Sequence, residues 1–230
     1  MTQSTSRRER ARLSTLAEIH AAARKLLNEQ GSAAVTINAV AREVGMSGPA
    51  LYHYYRGHED LVGAVTADFY AELAETMRAA TGSGHRLLTM CRAMRNWAMR
   101  NRAEFGWMFA TPVSNRAPES PRQAAGESFE QVFAAEVASL WTDAGFPTPD
   151  LADLSPTHRA QLEAYSASTG GALPPAAMHV FLSCWIRLYG LLCMEVLNQL
   201  DFAYTDLEPV FEECLAELST KLGITYEPPA

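Results

Sequence analysis

Proline clusters cut the 230-residue sequence into long stretches of helical period. The breaks fall at Pro112, Pro118 and Pro121, at Pro147, Pro149 and Pro156, at Pro174 and Pro175, and at Pro228 and Pro229. Ala and Leu together number 61, against 15 for Val and Ile. That ratio favours helix over strand, and no stretch sustains a two-residue alternation. The spacing predicts helices near 9–30, 36–43, 47–55, 58–80, 84–103, 121–144, 156–168, 175–200 and 206–222, with a short helix near 104–110. An all-α fold follows. The first few residues, the Pro-rich loop at 112–121 and the last four residues read as disordered.

A hydrophobic share of 48% is enough to bury a sizeable core. The net charge of −7 would discourage a polyanionic partner if it were spread evenly. It is not: residues 1–57 carry +4 and the remainder −11. Such an asymmetry points to nucleic-acid contact at the basic end. Cys91, Cys184, Cys193 and Cys214 show no CxxC spacing, which argues against a zinc site or a disulfide framework. The N-terminal arginines have no apolar stretch behind them, so a secretory signal is not expected and a cytoplasmic location is. No nucleophile elbow, phosphate loop, dinucleotide fingerprint or zinc-protease motif occurs. The expectation is a protein that is not an enzyme and needs no cofactor or metal.

Residues 36–55 carry the most specific pattern. Thr36 stands at an N-cap position, and Ile37, Val40, Ala41 and Val44 give the buried face of a two-turn helix. Gly45 supplies the left-handed turn that ends it. Ser47 caps a second helix with Pro49 in its first turn, and Leu51 and Tyr55 face inward. Helix, short Gly-containing turn, helix is the arrangement whose second helix enters the major groove. Gly48, Pro49 and Ala50 are small enough for close approach to bases. Tyr52, His53 and Tyr54 carry groups that can bond phosphates or base edges. Arg7, Arg8 and Arg10, with Arg12, form a basic arm over 1–12 that can reach phosphates or the minor groove.

On these residues, the stretch from about 15 to 75 resembles the DNA-binding domain of the TetR/AcrR family of bacterial transcriptional regulators. The resemblance runs through Ala22–Leu27 with Gly31, Thr36–Val44, Gly45–Tyr55 and Arg56–Leu61. Trp185–Leu191 resembles, more loosely, a C-terminal motif found in part of that family. The resemblance implies a homodimer whose all-helical C-terminal domain binds a small molecule. It also implies a phosphate contact at His58, where the family usually has Lys. The division expected is a DNA-binding domain at 1–60 and a ligand-binding and dimerisation domain at 61–230.

The acidic part offers its own candidates. Met90, Met94, Trp97, Trp107, Phe109, Phe133 and Trp141 make an adaptable apolar set that could line a pocket for an apolar or aromatic effector, although each alone reads as ordinary core. Arg92, Arg95 and Arg102 read as a solvated face, with an anionic ligand as the alternative. The 175–200 stretch is apolar nearly all round, and Arg187 and Glu195 inside it argue against a membrane span. Its stripe of Met178, Phe181, Trp185, Tyr189, Leu192 and Val196, with Phe211, Leu215 and Leu218 of the next helix, is the expected dimerisation face. The function expected is a ligand-responsive regulator, a repressor that binds a pseudo-palindromic DNA operator as a homodimer and is released by its effector. An activator, an effector-independent regulator and an all-helical carrier or enzyme stand as alternatives.

Overall fold

The computed structural model describes residues 7–82, 84–110 and 120–229. Among them every regular element is helical. The chain packs into two compact units. One holds residues up to Glu72 together with Asn101–Gly126, and the other holds Leu73–Arg100 and Glu127 onward. This division differs from a simple break at residue 60, because the segment beginning at Asn101 packs with the N-terminal residues. The expected loop at 112–121 lies mostly outside the described residues.

In the first unit, α1 (Arg7–Gln30) buries Ile19, Ala22, Ala23, Leu26 and Leu27 on one face. It stops where Gly31 takes φ 82°, a left-handed value that suits glycine. The segment Arg7–Arg12, part of the expected basic arm, forms the first turns of α1 and is exposed throughout. Helices α2 (Ile37–Glu43) and α3 (Gly48–Leu51) follow, joined through Gly45 at φ 70°. Helix α3 is shorter than the expected 47–55. The amides of Tyr54 and Tyr55 both reach the Leu51 carbonyl, so the chain closes into turns instead of a longer helix. Helix α4 (His58–Arg78) begins in this unit and ends in the other. Helix α6 (Arg102–Phe105), a π-helical turn at Gly106–Ala110 and the first residues of α7 (Pro121–Asp143), up to Gly126, also belong to this unit. Helix α6 and the turn bury Phe105, Trp107 and Met108, and Trp107 Nε1 donates to Thr66 Oγ1 at 2.8 Å.

One charged cluster ties this unit together. Arg24 donates from Nε to Glu104 Oε1 at 2.7 Å, from Nη1 to Glu72 Oε2 at 2.7 Å and from Nη2 to Asn101 Oδ1 at 2.8 Å. Its guanidinium lies 5.3 Å from the centre of the Phe69 ring. Asn28 adds a hydrogen bond to Glu104 Oε1 at 2.8 Å. Burial alone would lower the Arg24 pKa, but the hydrogen bonds to Glu72 and Glu104 outweigh it and raise the guanidinium further. Helices α1, α4 and α6 are thus held by one side chain.

In the second unit, α5 (Arg86–Arg100), the remainder of α7 (Pro121–Asp143), α8 (Pro156–Ser168), α9 (Pro175–Val196) and α10 (Glu208–Lys221) pack side by side. Helix α9 touches α5, α8 and α10. It ends at Val196, short of the expected 200. Asn198 takes a left-handed φ of 53°, and Gln199 N returns to Met194 O at 2.8 Å, which closes the helix as a glycine would. Glu195, the charge inside this long apolar helix, is buried but paired: Arg95 Nη2 donates to it at 2.7 Å. Arg92 likewise meets Glu212 at 2.7 Å. The solvated arginine face read from the sequence is therefore corrected for these two residues, which join α5 to α9 and α10. Arg102 lies in α6, in the other unit.

Candidate nucleic-acid interface and effector cavity

The helix-turn-helix is set by two caps and the left-handed Gly45 between its helices. Thr36 Oγ1 accepts from Ala39 N at 3.2 Å, and Ser47 Oγ accepts from Ala50 N at 3.3 Å. Each cap satisfies an amide that the first helical turn leaves open. Ile37, Val40, Ala41 and Leu51 are buried between the helices. Gly48 has a packing role beyond the one read from the sequence: a Cβ there would stand 2.6 Å from Asn38 Oδ1, so a larger residue would push that side chain aside.

The turn after α3 separates inward from outward groups. Leu51 and Tyr55 are buried, while Tyr52 is 55% exposed and His53 is also exposed. Tyr54 is half-buried. Tyr55 is held from behind by its hydroxyl, which stands 2.5 Å from His20 Nε2, and His20 Nδ1 in turn meets Asp68. Burial, with Asp68 and Asp60 nearby, pushes the Tyr55 phenol up to about 12. This bracing of the recognition turn by α1 and α4 was invisible in the sequence, because no local spacing links residues 20, 55 and 68.

His58 opens α4, and its Nε2–H donates to the Val35 carbonyl at 2.7 Å. That nitrogen is spent on the fold. Lys25 is paired with Glu43 at 2.5 Å, and Arg24 sits in the cluster described above. The positive charge exposed to solvent in this region rests on Arg7, Arg8, Arg10, Arg12, Arg42 and Arg56.

The seven residues expected to line a pocket are divided between the two units. Trp107 and Phe109 belong to the first unit, where Phe109 packs edge-on against Tyr70 at 5.5 Å. Met90, Met94 and Trp97 are buried on α5, and Trp141 packs on Phe146 at 4.9 Å. Only Phe133 reaches the apolar cavity of the second unit. That cavity is small, about 30 Å³, and is walled by α5, α7, α9 and α10 through side chains such as Leu87, Val137, Leu188 and Leu222. The hydroxyl of Ser219 in its wall already donates to the Leu215 carbonyl at 2.7 Å. Cys91 and Cys184 form part of the wall. Burial pushes the Cys184 thiol up to about 11 and the Cys91 thiol further still, so both stay protonated and inert.

The residues of the expected dimerisation stripe lie largely inside the unit. Phe181, Trp185, Leu215 and Leu218 line the cavity, and Met178, Leu192, Val196 and Phe211 are buried within the unit. Trp185 packs against Phe133 at 5.4 Å and stacks on Tyr189 at 5.7 Å. The large apolar groups left exposed are Ile186 at 68% and Met194 on α9 and Leu197 just past its end, with Gly190 between them open to space. Both sides of α9 are apolar, so periodicity alone could not say which side is used within the subunit.

A helix-turn-helix within a basic N-terminal stretch, joined to an all-helical unit with an apolar cavity, defines a class of helical regulators. The chain belongs to the tetR family of bacterial regulatory proteins. The model of that family's N-terminal domain matches residues 19–65, and a model described as the tetracyclin repressor-like C-terminal domain matches 87–218. The solved structure of the protein SCO4313 is 31% identical, with a TM-score of 0.69, and the match covers 93% of this chain and 98% of that one. The HTH-type transcriptional regulator Rv1816 of Mycobacterium tuberculosis is 29% identical over 113 residues. That match takes in 46% of this chain and 48% of Rv1816, so the chain spans about half the length of the curated relatives it matches. FadR of Thermus thermophilus, a TetR family transcriptional repressor solved with lauroyl-CoA, shares the fold. Its TM-score is 0.53 at 18% identity, over 94% of this chain and 98% of that one.

Proposed function

We propose that the protein is a homodimeric transcriptional repressor that binds a pseudo-palindromic DNA operator and leaves it when an apolar effector binds. The observation that carries this reading is the capped helix-turn-helix with Tyr52 and His53 turned outward beside exposed arginines. Small residues Gly48, Pro49 and Ala50 bring the helix start close to a groove floor, and Ser47, Thr36 and Tyr54 stand where phosphates pass. Arg7, Arg8 and Arg10 add charge from the first turns of α1.

Dimerisation through the outward face of α9 would double this reading head. Ile186, Met194 and Leu197 supply the apolar area, and Gly190 lets a second α9 approach closely. The effector enters the second unit and must widen a cavity that now holds little more than one water-sized group. Walls of hydrocarbon and protonated thiol favour an uncharged apolar ligand portion, and an acyl chain such as that of the lauroyl-CoA bound to FadR has this chemistry. Helix α4 is continuous from the first unit into the second, so a shift of its second half would carry to the first. The effector releases DNA only if it favours the arrangement that mismatches the half-sites.

Selection of bound duplexes from random sequence tests the reading. The expected product is an inverted repeat with half-sites about one helical turn apart or a multiple of that. Recovery of no enriched sequence by the intact protein would overturn it.

A further inference from the structure

The second unit carries a groove that neither the DNA-binding face nor the effector cavity uses. It lies between the first turns of α9 and the last turn of α10, with Pro147 and Pro149 along one side. Its volume is about 290 Å³, open to solvent. Val180 and the two prolines give it apolar walls, while His179, Ser183, Thr220 and Lys221 supply the polar groups. Lys221 Nζ donates to Ser183 Oγ at 3.2 Å, which leaves the serine proton available to another acceptor. The Thr220 hydroxyl is spent on the Ala216 carbonyl at 3.1 Å. His158 of α8 stands edge-on to His179, with ring centres 5.2 Å apart.

The charge here runs against its surroundings. Residues from 58 onward are net −11, yet the lining described here holds an ammonium and an imidazole and no carboxylate. Burial first, then His158 and Lys221, hold His179 below the ordinary imidazole range, as expected where the neighbouring charges are positive. A bare anion would leave most of the groove empty, and its apolar walls suit a compact carbon body.

We propose that this groove binds a small organic oxyanion, with its carboxylate or phosphate head held by Lys221, Ser183 and His179 and its apolar body against Pro147, Pro149 and Val180. The site is separate from the effector cavity. On α9, Phe181 and Cys184 turn into the cavity and His179 and Ser183 turn out. On α10, Leu218 and Ser219 turn in and Lys221 turns out. An anion bridging Ser183 and Lys221 would brace the wall of that cavity from outside.

Histidine Cε1–H resonances of the intact protein report on the groove directly. Butyrate and inorganic phosphate are titrated separately, each against sodium chloride at equal ionic strength. The expected result is a saturable shift of the His158 and His179 resonances with at least one oxyanion. Saturation by phosphate assigns the head as a phosphate, and saturation by butyrate alone assigns a carboxylate. Lys221→Met should weaken that binding roughly tenfold, the loss of one charge-assisted hydrogen bond. Lys221 is exposed, and unchanged His20 and His85 resonances will show that the variant is folded. Shifts no larger than those in chloride, or saturation unaltered in Lys221→Met, would overturn the proposal.

Discussion

The Tyr55 hydroxyl stands 2.5 Å from His20 Nε2, across 35 positions of sequence. Tyr55 is buried and closes the turn that presents Tyr52 and His53, so its hydrogen bond fixes that turn against α1. Tyr55→Phe keeps the ring and removes the bond. It should cost about 1 kcal/mol of stability in urea unfolding, the usual worth of one such bond. It should also weaken binding to a selected duplex. His20→Ala should weaken DNA binding similarly, and the double variant should add little beyond either single change.

The Arg24–Glu104 pair predicts an asymmetry between two substitutions. Glu104 is buried, and among the described residues its Oε2 has no hydrogen-bond partner. Glu104→Ala leaves Arg24 without one of its two acids and opens a cavity beside Asn28, at a cost of about 2–4 kcal/mol. Glu104→Gln keeps the shape and one acceptor and should cost clearly less. Chemical denaturation of both variants measures the difference.

The outward face of α9 makes a third prediction. Ile186→Asp changes a residue 68% exposed in the subunit, so it should leave helicity intact and shift the protein to monomer in sedimentation velocity. Leu192→Asp, in the stripe first read as the dimer face, buries a charge within the subunit and should unfold it. A dimeric Ile186→Asp would remove this face from the interface.

Acid stability should depend on Glu212. Burial would raise its carboxyl, but hydrogen bonds from Arg92 and Tyr226 outweigh burial and hold it below the ordinary carboxylate range. A depressed folded-state pKa gives stability that is present above the unfolded value, about 4.3, and is lost as pH falls through the folded one. Glu212→Gln should therefore lower the melting temperature at pH 7 and flatten its dependence below about pH 5.

Local chemistry was legible in the sequence, and long-range choice was not. The Thr36 and Ser47 caps, the Gly45 turn and the inward Leu51 and Tyr55 all follow from spacing, because they depend on neighbours within a turn or two. The helices expected from periodicity all formed, with ends moved by Asn198 and by the turns after Leu51. The pairing of Arg92 with Glu212 and of Arg95 with Glu195 was not legible, since it joins helices about a hundred residues apart. Nor was the side of α9 that lines the cavity. Trp185 and Ile186 are equally apolar on paper, and only the packing of α7 and α10 decides which one turns inward.

The exposed arginines of the N-terminal stretch give DNA binding its sharpest test. Six exposed arginines per subunit should meet phosphates and release counterions, at about 0.9 of log affinity per log salt for each contact. The decisive measurement is fluorescence anisotropy of a selected duplex at rising salt, for the wild type, Arg56→Gln and the Tyr52→Ala, His53→Ala double variant. A log–log slope steeper than about −5 is expected for the wild type, and a slope shallower by roughly 2 for dimeric Arg56→Gln. The double variant should lose sequence preference with the dimer retained. A salt-independent affinity, or a double variant that binds the same duplex as tightly as the wild type, would contradict this expectation.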